Sequence, residues 1–181
     1  AARAGGVVAA SAGNHAQGVA LAASKLGIKA TIVMPVTTPL IKVDAVKALG
    51  AKVVMHGDSF DEAAVRARAL TESAGFTFIH PFDDPDVIAG QGTVAVELVR
   101  QAQQPLDYVF VCCGGGGLLA GMAAYLRYVW PQTRIIGVEP EDAACVQAAL
   151  EKGRRVTLRE VGLFADGCAV AQVGKETFRL I

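Results

Sequence analysis

Apolar positions along the chain alternate between short β-branched runs and longer segments with helical spacing. Apolar residues recur every three or four positions at Val19, Ala22, Ala23 and Leu26, which predicts a helix. The alternation of such segments with strands predicts an α/β fold of open parallel sheets with helices on both faces. The predicted strands are residues 6–10, 30–34, 52–56, 76–80, 108–112 and 134–138.

Several predicted helices carry recognisable end signals. Gly27 and Gly50 follow the last apolar positions of two of them and are expected to end them. Ser59 and Glu62 have the spacing of a capping box, which predicts a helix to about residue 73. Residues 80–93, HPFDDPDVIAGQGT, interrupt the pattern with two prolines, three aspartates and two glycines. This stretch is either an ordinary loop or a crossover between two lobes.

Composition narrows the classes of partner. Apolar residues make up 52% of the 181 residues, which is enough for a sizeable core. Lysine plus arginine equals aspartate plus glutamate at 17 each, so charge gives no attraction to nucleic acid or an anionic membrane. No apolar run approaches the roughly 20 residues that span a bilayer. We therefore expect neither nucleic acid nor a membrane as a partner.

The four cysteines fit neither a disulfide framework nor a zinc site. They are Cys112, Cys113, Cys145 and Cys168, and no CxxC pair or cysteine–histidine spacing for zinc occurs. Cys112 and Cys113 end an apolar strand, which favours core packing for both. A chain with this much core needs no disulfides, so we expect a reducing, cytoplasmic compartment.

Four consecutive glycines, Gly114, Gly115, Gly116 and Gly117, join the strand DYVFVCC to the apolar helix LLAGMAAYLRYVW. Glycine permits left-handed φ values and lets successive amides turn inward as an anion-binding nest. The helix that follows adds its free N–H groups and the positive end of its dipole. A flexible connector is the alternative, but four glycines cost backbone entropy. The loop is therefore predicted to hold a phosphate.

A second strand–helix turn, SAGNH, is rich in small and polar residues. Ser11 alone could be a helix cap, Asn14 a turn residue and His15 an ordinary first-turn residue. Together they offer a hydroxyl, a side-chain amide and the backbone amides of Ala12, Gly13 and Asn14 at a helix N-terminus. That set suits a small carboxylate with a second hydrogen-bonding group.

These residues leave two further functions open. Gly115-x-Gly117-x-x-Ala120 matches the dinucleotide fingerprint, and Glu139 lies at the end of the next predicted strand, where a ribose-binding acid belongs. The alternative enzyme is therefore an NAD(P)-dependent dehydrogenase. The other alternative is a non-enzymatic module that binds phosphate or an amino acid.

The chain resembles a known enzyme family along nearly its whole length. The motifs SAGNHAQG, VMP, IKVDAVKALGA, GQGT, GGGGLLAG and VGLFADGCAV together resemble the biosynthetic threonine deaminases (threonine ammonia-lyases). These belong to the β family, or fold type II, of pyridoxal-phosphate enzymes. The resemblance implies a two-lobed, tryptophan synthase β-like fold, incomplete in this chain. Residues 1–79 would form most of the small lobe and residues 80–181 part of the large lobe.

The resemblance also implies roles for individual residues. The cofactor would be held by its phosphate in the tetraglycine loop, by a hydrogen bond from Asn14 to the pyridine 3′-oxygen, and by a glycine of the ADG turn near the ring. These cofactor-binding residues are Asn14, Gly114, Gly115, Gly116, Gly117, Leu118 and Gly167. The substrate carboxylate would be bound by Ser11, Ala12, Gly13, Asn14 and His15.

The implied reaction is the dehydration and deamination of L-threonine to 2-oxobutanoate and ammonia, the first step of isoleucine biosynthesis, in a cytoplasmic homotetramer. The Schiff-base lysine of the family belongs upstream of residue 1, so we assign no catalytic residue here and expect the chain itself to be inactive. Lys25 and Lys29 are interpreted as surface residues. The chain lacks an initial methionine and ends at GKETFRLI, so we expect an internal fragment. Relatives among the serine racemases bind a metal near Glu139, but Cys145 stands where a carboxylate is needed, and we predict no metal.

Overall fold

The computed structural model of the chain describes residues 2–162 and 164–181, which form two compact units that divide after residue 81. Ala1, and Leu163 of the VGLFADG motif, lie outside the described residues. The helices are α1 (Ala2–Gly5), α2 (Asn14–Leu26), α3 (Leu40–Ala48), α4 (Phe60–Ala74), α5 (Pro85–Ala102), α6 (Gly117–Val129), α7 (Cys145–Lys152) and α8 (Lys175–Leu180). The strands are β1 (Val7–Ala10), β2 (Ala30–Met34), β3 (Lys52–Met55), β4 (Thr77–Phe78), β5 (Tyr108–Cys112) and β6 (Arg134–Val138).

The first unit is built on a four-stranded parallel sheet with strand order β3-β2-β1-β4. Central strand β1 is buried on both sides, because its alternate residues enter two different apolar clusters. Val7 and Ala9 pack with residues of α2 and α3, whereas Val8 and Ala10 pack with residues of α4. Helices therefore cover both faces of this sheet, as the strand–helix alternation predicts.

Helix ends in the first unit follow the predicted signals. Gly27 ends α2 in the left-handed conformation with φ of 65°, and Gly50 follows α3 with φ of 87°. The Ser59 hydroxyl accepts the Glu62 amide at 3.3 Å and so caps α4. The Glu62 carboxylate accepts the amide of Asp58, one residue before the cap. The capping box is thus confirmed, with its reciprocal bond displaced by one residue.

The second unit pairs β5 with β6 in parallel, and its core forms between these strands and helices α5, α6 and α7. Val109 and Val111 are buried while Tyr108 and Phe110 are exposed, which is the alternation of a strand with one covered face. Cys113 is buried, but Cys112 belongs to the exposed set. The prediction that both cysteines serve the core is therefore wrong for Cys112.

Residues 85–93 are the first half of the 18-residue helix α5, so the loop interpretation of that stretch is wrong beyond Asp84. Asp84 caps this helix by accepting the amides of Asp86 and Val87, and Pro85 occupies its first turn. Gly92 lies against α6, where a Cβ would stand 3.0 Å from the carbonyl oxygen of Gly121. The glycine at 92 therefore serves close helix packing rather than a turn.

Within the described residues, no helix combines the length and the apolar character needed to cross a membrane.

Candidate active site

The SAGNH turn lies at the carboxyl end of β1 and leads into α2. Ser11 is not the cap of that helix, because α2 begins at Asn14 and is preceded by Gly13, which makes no side-chain cap. The Ser11 hydroxyl instead accepts the Gly13 amide at 3.1 Å. In the described part of the chain the amides of Ala12 and Asn14 donate to no protein acceptor. Two of the three predicted backbone donors are therefore open to a ligand, and the third is used within the turn.

His15 is fixed at the start of α2 by a bond to a distant segment of the same unit. Its Nε2 lies 3.2 Å from the carbonyl oxygen of Ile79, and a carbonyl can only accept, so Nε2 carries the proton. Burial lowers the pKa of His15, the bond to Ile79 partly opposes this, and nearby His80 lowers it further. The ring is therefore neutral near pH 7, with Nδ1 left as an acceptor. The Asn14 side chain beside it is exposed.

The tetraglycine loop lies between Cys113 and α6 and is largely buried by its own unit. Gly116 takes the left-handed conformation with φ of 93°, and Gly115, Gly116 and Gly117 are buried. A Cβ at Gly115 would collide with the Phe82 ring, and one at Gly117 would lie 3.0 Å from Phe82. The missing side chains thus make room for the protein itself, which is a different reason from the ligand access inferred from sequence.

Although the loop is packed, its backbone donors are unused. In the described part of the chain, the amides of residues 114–118 donate to no protein acceptor, and α6 begins with the bond from the Ala120 amide to the Gly116 carbonyl. Buried amides in folded proteins are almost always paired, so a run of unpaired ones requires an external acceptor. Successive amides at a helix N-terminus bind an anion such as phosphate, and they need no lysine or arginine.

The carbonyl groups of the same loop are held by side chains from elsewhere in the second unit. The carbonyl oxygen of Gly114 lies 3.5 Å from Cys145 Sγ and 3.8 Å from Cys113 Sγ. The carbonyl oxygen of Gly115 accepts the Thr177 hydroxyl at 2.8 Å and the Gly174 amide at 3.2 Å. Thus, among the described residues, the bonds to Gly114 and Gly115 are all made to their carbonyl oxygens and none to their amides.

The three residues of the segment FDD act on different parts of the second unit. Phe82 packs on Gly115 and Gly117, Asp83 accepts three amides at the start of α8, and Asp84 caps α5. Sequence reasoning assigned none of these roles to Phe82, Asp83 or Thr177. No local pattern marks them, because each acts through a contact with a residue far away in sequence.

The ADG turn also lies beside the tetraglycine loop. A Cβ on Gly114 would stand 3.1 Å from the Cα of Cys168, directly after Gly167. Gly167 itself is exposed, and a Cβ there would meet nothing within 4 Å. Its own backbone and neighbours therefore do not require glycine. The open space is compatible with a ligand, and the cofactor-binding role of Gly167 stays a prediction.

Glu139 has a structural use that competes with ribose binding. Its two carboxylate oxygens accept the amides of Val146 and Gln147 at 2.9 and 2.8 Å, which anchors the N-terminus of α7. Glu139 is therefore engaged where a dehydrogenase needs it free. Among the described residues no three His, Cys, Asp or Glu side chains could together hold a metal ion.

Two thiols beside the loop are chemically quiet. Burial, followed by the charge of Glu139, raises the pKa of Cys113 to about 12 and that of Cys145 to about 11. Both are fully protonated at neutral pH, which suits a thiol directed at a carbonyl oxygen and not a nucleophile.

Lys25 and Lys29 are exposed, as the sequence interpretation expects.

Comparison with known proteins identifies the family. A family model described as "Pyridoxal-phosphate dependent enzyme" matches residues 1–181. Over 175 residues the chain is 61% identical to a protein named threonine dehydratase biosynthetic, chloroplastic, from Arabidopsis thaliana, covering 97% of the chain and 30% of that protein. It is 58% identical over 178 residues to the L-threonine dehydratase biosynthetic IlvA of Haemophilus influenzae, covering 98% and 34%.

The fold agrees with a solved structure of the same group. The processed form of threonine deaminase isoform 2 from Solanum lycopersicum superposes with a TM-score of 0.91 at 55% identity, covering 95% of the chain and 50% of the solved one. The chain thus spans about a third of the length of the curated relatives and half of this structure. The predicted fold class and the resemblance to threonine deaminases are confirmed, and the chain belongs to the family of pyridoxal-phosphate-dependent enzymes.

Proposed function

We propose that the full-length protein, meaning this chain at the length of its threonine dehydratase relatives, converts L-threonine to 2-oxobutanoate and ammonia with pyridoxal phosphate, as the first step of isoleucine biosynthesis. Relatives at 58% and 61% identity carry names of biosynthetic threonine dehydratases, and this supports the choice of substrate. The reaction of the isolated chain is a separate matter, because the resemblance implies a Schiff-base lysine upstream of residue 1.

The observation that carries the proposal is the run of amides at residues 114–118, which find no acceptor among the residues that the structure describes. Its donor chemistry fits the phosphate ester of this cofactor, because the loop offers neutral backbone donors and the positive end of the α6 dipole. Gly114, Gly115, Gly116, Gly117 and Leu118 would hold that phosphate. When bound, pyridoxal phosphate supplies an electron sink that makes the α-proton of an amino acid removable.

The SAGNH turn has the donors for the other half of the task. The backbone amides of Ala12 and Asn14 and the hydroxyl of Ser11 would bind the substrate carboxylate. The exposed side-chain amide of Asn14 would bind the pyridine 3′-oxygen of the cofactor. Fixed donors of this kind position a reacting molecule without reacting themselves. His15 is neutral near pH 7 and its Nε2 donates to the Ile79 carbonyl, so its ring has no donor left for the substrate carboxylate. His15 would bind that carboxylate through its backbone amide.

The two alternative functions are less favoured. A dehydrogenase would need the carboxylate of Glu139 for the ribose, but both of its oxygens accept amides of α7. A non-enzymatic binding module would use the same unpaired amides, but the names of the relatives favour an enzyme.

We further propose that the full-length protein is a cytoplasmic homotetramer that binds an amino-acid substrate and neither nucleic acid nor membrane. Zero formal net charge supports the last point, and free cysteines are consistent with a reducing compartment. The Arabidopsis relative is named as chloroplastic, so location can differ between relatives. Light scattering coupled to size exclusion would test the tetramer.

The decisive experiment is to express the full-length protein and record its visible spectrum. We expect an absorption band from bound cofactor that changes on addition of L-threonine, together with formation of 2-oxobutanoate. A colourless protein that quenches the fluorescence of NADPH would favour the dehydrogenase. The isolated 181-residue chain is expected to be inactive, and measurable turnover from it would contradict the assignment of the lysine outside the chain.

A further inference from the structure

The peptide group between Gly115 and Gly116 is oriented by a buried hydroxyl. Thr177 in α8 is 0% exposed, and its Oγ1 donates to the Gly115 carbonyl at 2.8 Å. The Gly174 amide donates to the same oxygen at 3.2 Å. The fit is close, since a Cβ on Gly116 would lie 3.0 Å from Thr177 Oγ1. One carbonyl of the tetraglycine loop therefore has two fixed donors on one side.

This arrangement determines where an amide of the nest points. A trans peptide group is planar, so its carbonyl and its N–H project in opposite directions. With the Gly115 carbonyl directed at Thr177, the Gly116 N–H must point to the opposite side of the loop. Gly116 has φ of 93° and so can reach conformations open to few other residues. Because the backbone at Gly116 has this freedom, the orientation of its amide is determined by the groups that bind the Gly115 carbonyl.

The helix that carries Thr177 is itself tied down at its first turn. The Asp83 carboxylate accepts the amides of Lys175, Glu176 and Thr177 at 2.8, 2.7 and 3.3 Å. A Cβ on Gly174 would collide with that carboxylate, so glycine at 174 makes the approach possible. A negative group at a helix N-terminus is also favoured by the helix dipole. Asp83 thus fixes the first turn of α8, and with it the position of the Thr177 hydroxyl beside the loop.

We infer that Thr177, held by Asp83, is a positioning residue that aims the Gly116 amide at the cofactor phosphate. The inference rests on the proposed function, because it assigns Thr177 to the same phosphate site. Thr177 is not expected to touch the cofactor. Its effect passes through one peptide group, and removing its hydroxyl should weaken phosphate binding specifically.

A purely structural Thr177 would behave differently. If its hydroxyl only filled a hydrogen-bonding need of the core, its loss would lower folding stability and would weaken every ligand of the site alike. Comparing pyridoxal phosphate with pyridoxal, which lacks the phosphate, separates the two roles. The ratio of the two affinities isolates the contribution of the nest.

The experiment measures equilibrium binding of both compounds to the cofactor-free full-length protein, with Thr177→Val and Thr177→Ser as a matched pair. Valine keeps the shape and removes the hydroxyl, whereas serine keeps the hydroxyl. We expect Thr177→Val to bind pyridoxal phosphate about tenfold more weakly, the loss of roughly one hydrogen bond, with pyridoxal unchanged. Thr177→Ser should stay within about twofold of the unchanged protein for both compounds.

Equal weakening of both compounds, or no weakening of either, by Thr177→Val would overturn the inference. If that variant does not fold, Asp83→Asn provides the same comparison, because it weakens the anchoring of α8 and leaves the Thr177 hydroxyl in place. A selective loss of pyridoxal phosphate affinity of about threefold is then expected, and a non-selective result again overturns the inference. An unchanged full-length protein that binds neither compound would instead refute the proposed function.

Discussion

The SAGNH turn and the tetraglycine loop are both strand–helix turns, but they present their donors in different ways. Ser11, Asn14 and His15 contribute side chains, Asn14 is exposed, and a Cβ on Gly13 would meet nothing within 4 Å. The tetraglycine loop contributes only backbone amides and is surrounded by Phe82, Thr177 and two thiols. The first turn is open at Gly13, although distant residues bond to Ser11 and His15, whereas the second turn is enclosed by distant residues.

This difference indicates how packing would prepare a bare backbone for the phosphate that we propose it binds. Four glycines alone would be flexible, and flexible amides lose entropy when they bind an anion. The surrounding side chains occupy the carbonyls and the Cα faces, so the amides are the groups left over. Packing that leaves only donors unpaired is a form of preorganisation for an anion.

The largest expected difference between the two turns is in how far a glycine-to-alanine substitution lowers the free energy of unfolding. Gly115→Ala places a methyl group in the Phe82 ring, and we expect a loss of about 1–3 kcal/mol in the free energy of unfolding. Gly13→Ala enters open space and should change the free energy by about 0.5 kcal/mol or less. Urea unfolding of both variants measures the difference. Equal free energies of unfolding for the two variants would show that the loops are built alike.

Asn14→Ala in the full-length protein should affect catalysis far more than folding. The side chain is exposed, so the free energy of unfolding should change by about 0.5 kcal/mol or less. The lost side-chain amide should lower kcat/KM by about 100-fold, as expected for a positioning donor. Steady-state kinetics and urea unfolding on the same preparation measure both. Rates comparable to those of the unchanged protein would remove Asn14 from the site.

The first unit should lose stability as the pH falls below the ordinary histidine pKa of about 6.5. Burial lowers the pKa of His15, so the unfolded chain takes up this proton before the folded one does. Stability therefore falls as the pH drops from about 6.5 towards the lowered pKa of the folded state, and it is fully present above that range. Urea unfolding between acidic and neutral pH measures the slope.

His15→Gln is the matched control for this pH dependence. Glutamine keeps an N–H donor for the Ile79 carbonyl and cannot titrate, so its profile should be flatter in this range. Titrating groups that do not interact with His15 contribute equally to both proteins and cancel in the difference, whereas the part that comes from its interaction with His80 belongs to the measured effect. Parallel profiles for the two proteins would show that His15 does not bear a lowered pKa.

The smallest expected effect concerns the thiols around the tetraglycine loop. At pH 8, iodoacetamide should alkylate the exposed Cys112, while Cys113 and Cys145, with pKa values of about 12 and 11, stay unlabelled until denaturant is added. Peptide mass spectrometry after a timed reaction reports each site. Labelling of Cys145 before Cys112 in the native protein would show that the loop is open on its carbonyl side.

Secondary structure could largely be predicted because its signals are local. The runs at 30–34, 108–112 and 134–138 match β2, β5 and β6 in full, and Gly27 ends α2 as expected. The start of α5 was misread, because Gly90 and Gly92 look like loop residues in sequence. A larger residue at position 92 would crowd Gly121 of α6, and that neighbour is distant in sequence.

The candidate site was predictable only in part, for the same reason. The composition of the two loops is enough to single them out, and among the described residues the amides of 114–118 find no protein acceptor, as an anion-binding nest requires. That these amides bind phosphate stays a prediction. The side chains around the tetraglycine loop could not be identified from the sequence. Phe82, Asp83 and Thr177 lie in no recognisable motif, and only the fold brings them to the loop. The FDD segment in particular has a turn-like sequence, although two of its residues anchor helices.

The central claim is that the backbone amides of the tetraglycine loop bind the phosphate of the cofactor. A crystal structure of the full-length protein with pyridoxal phosphate tests it directly. We expect phosphate oxygens about 3 Å from at least three of the amide nitrogens of residues 114–118, with the Thr177 hydroxyl still on the Gly115 carbonyl. A phosphate held elsewhere, with those amides bonded to protein or water, would contradict the claim.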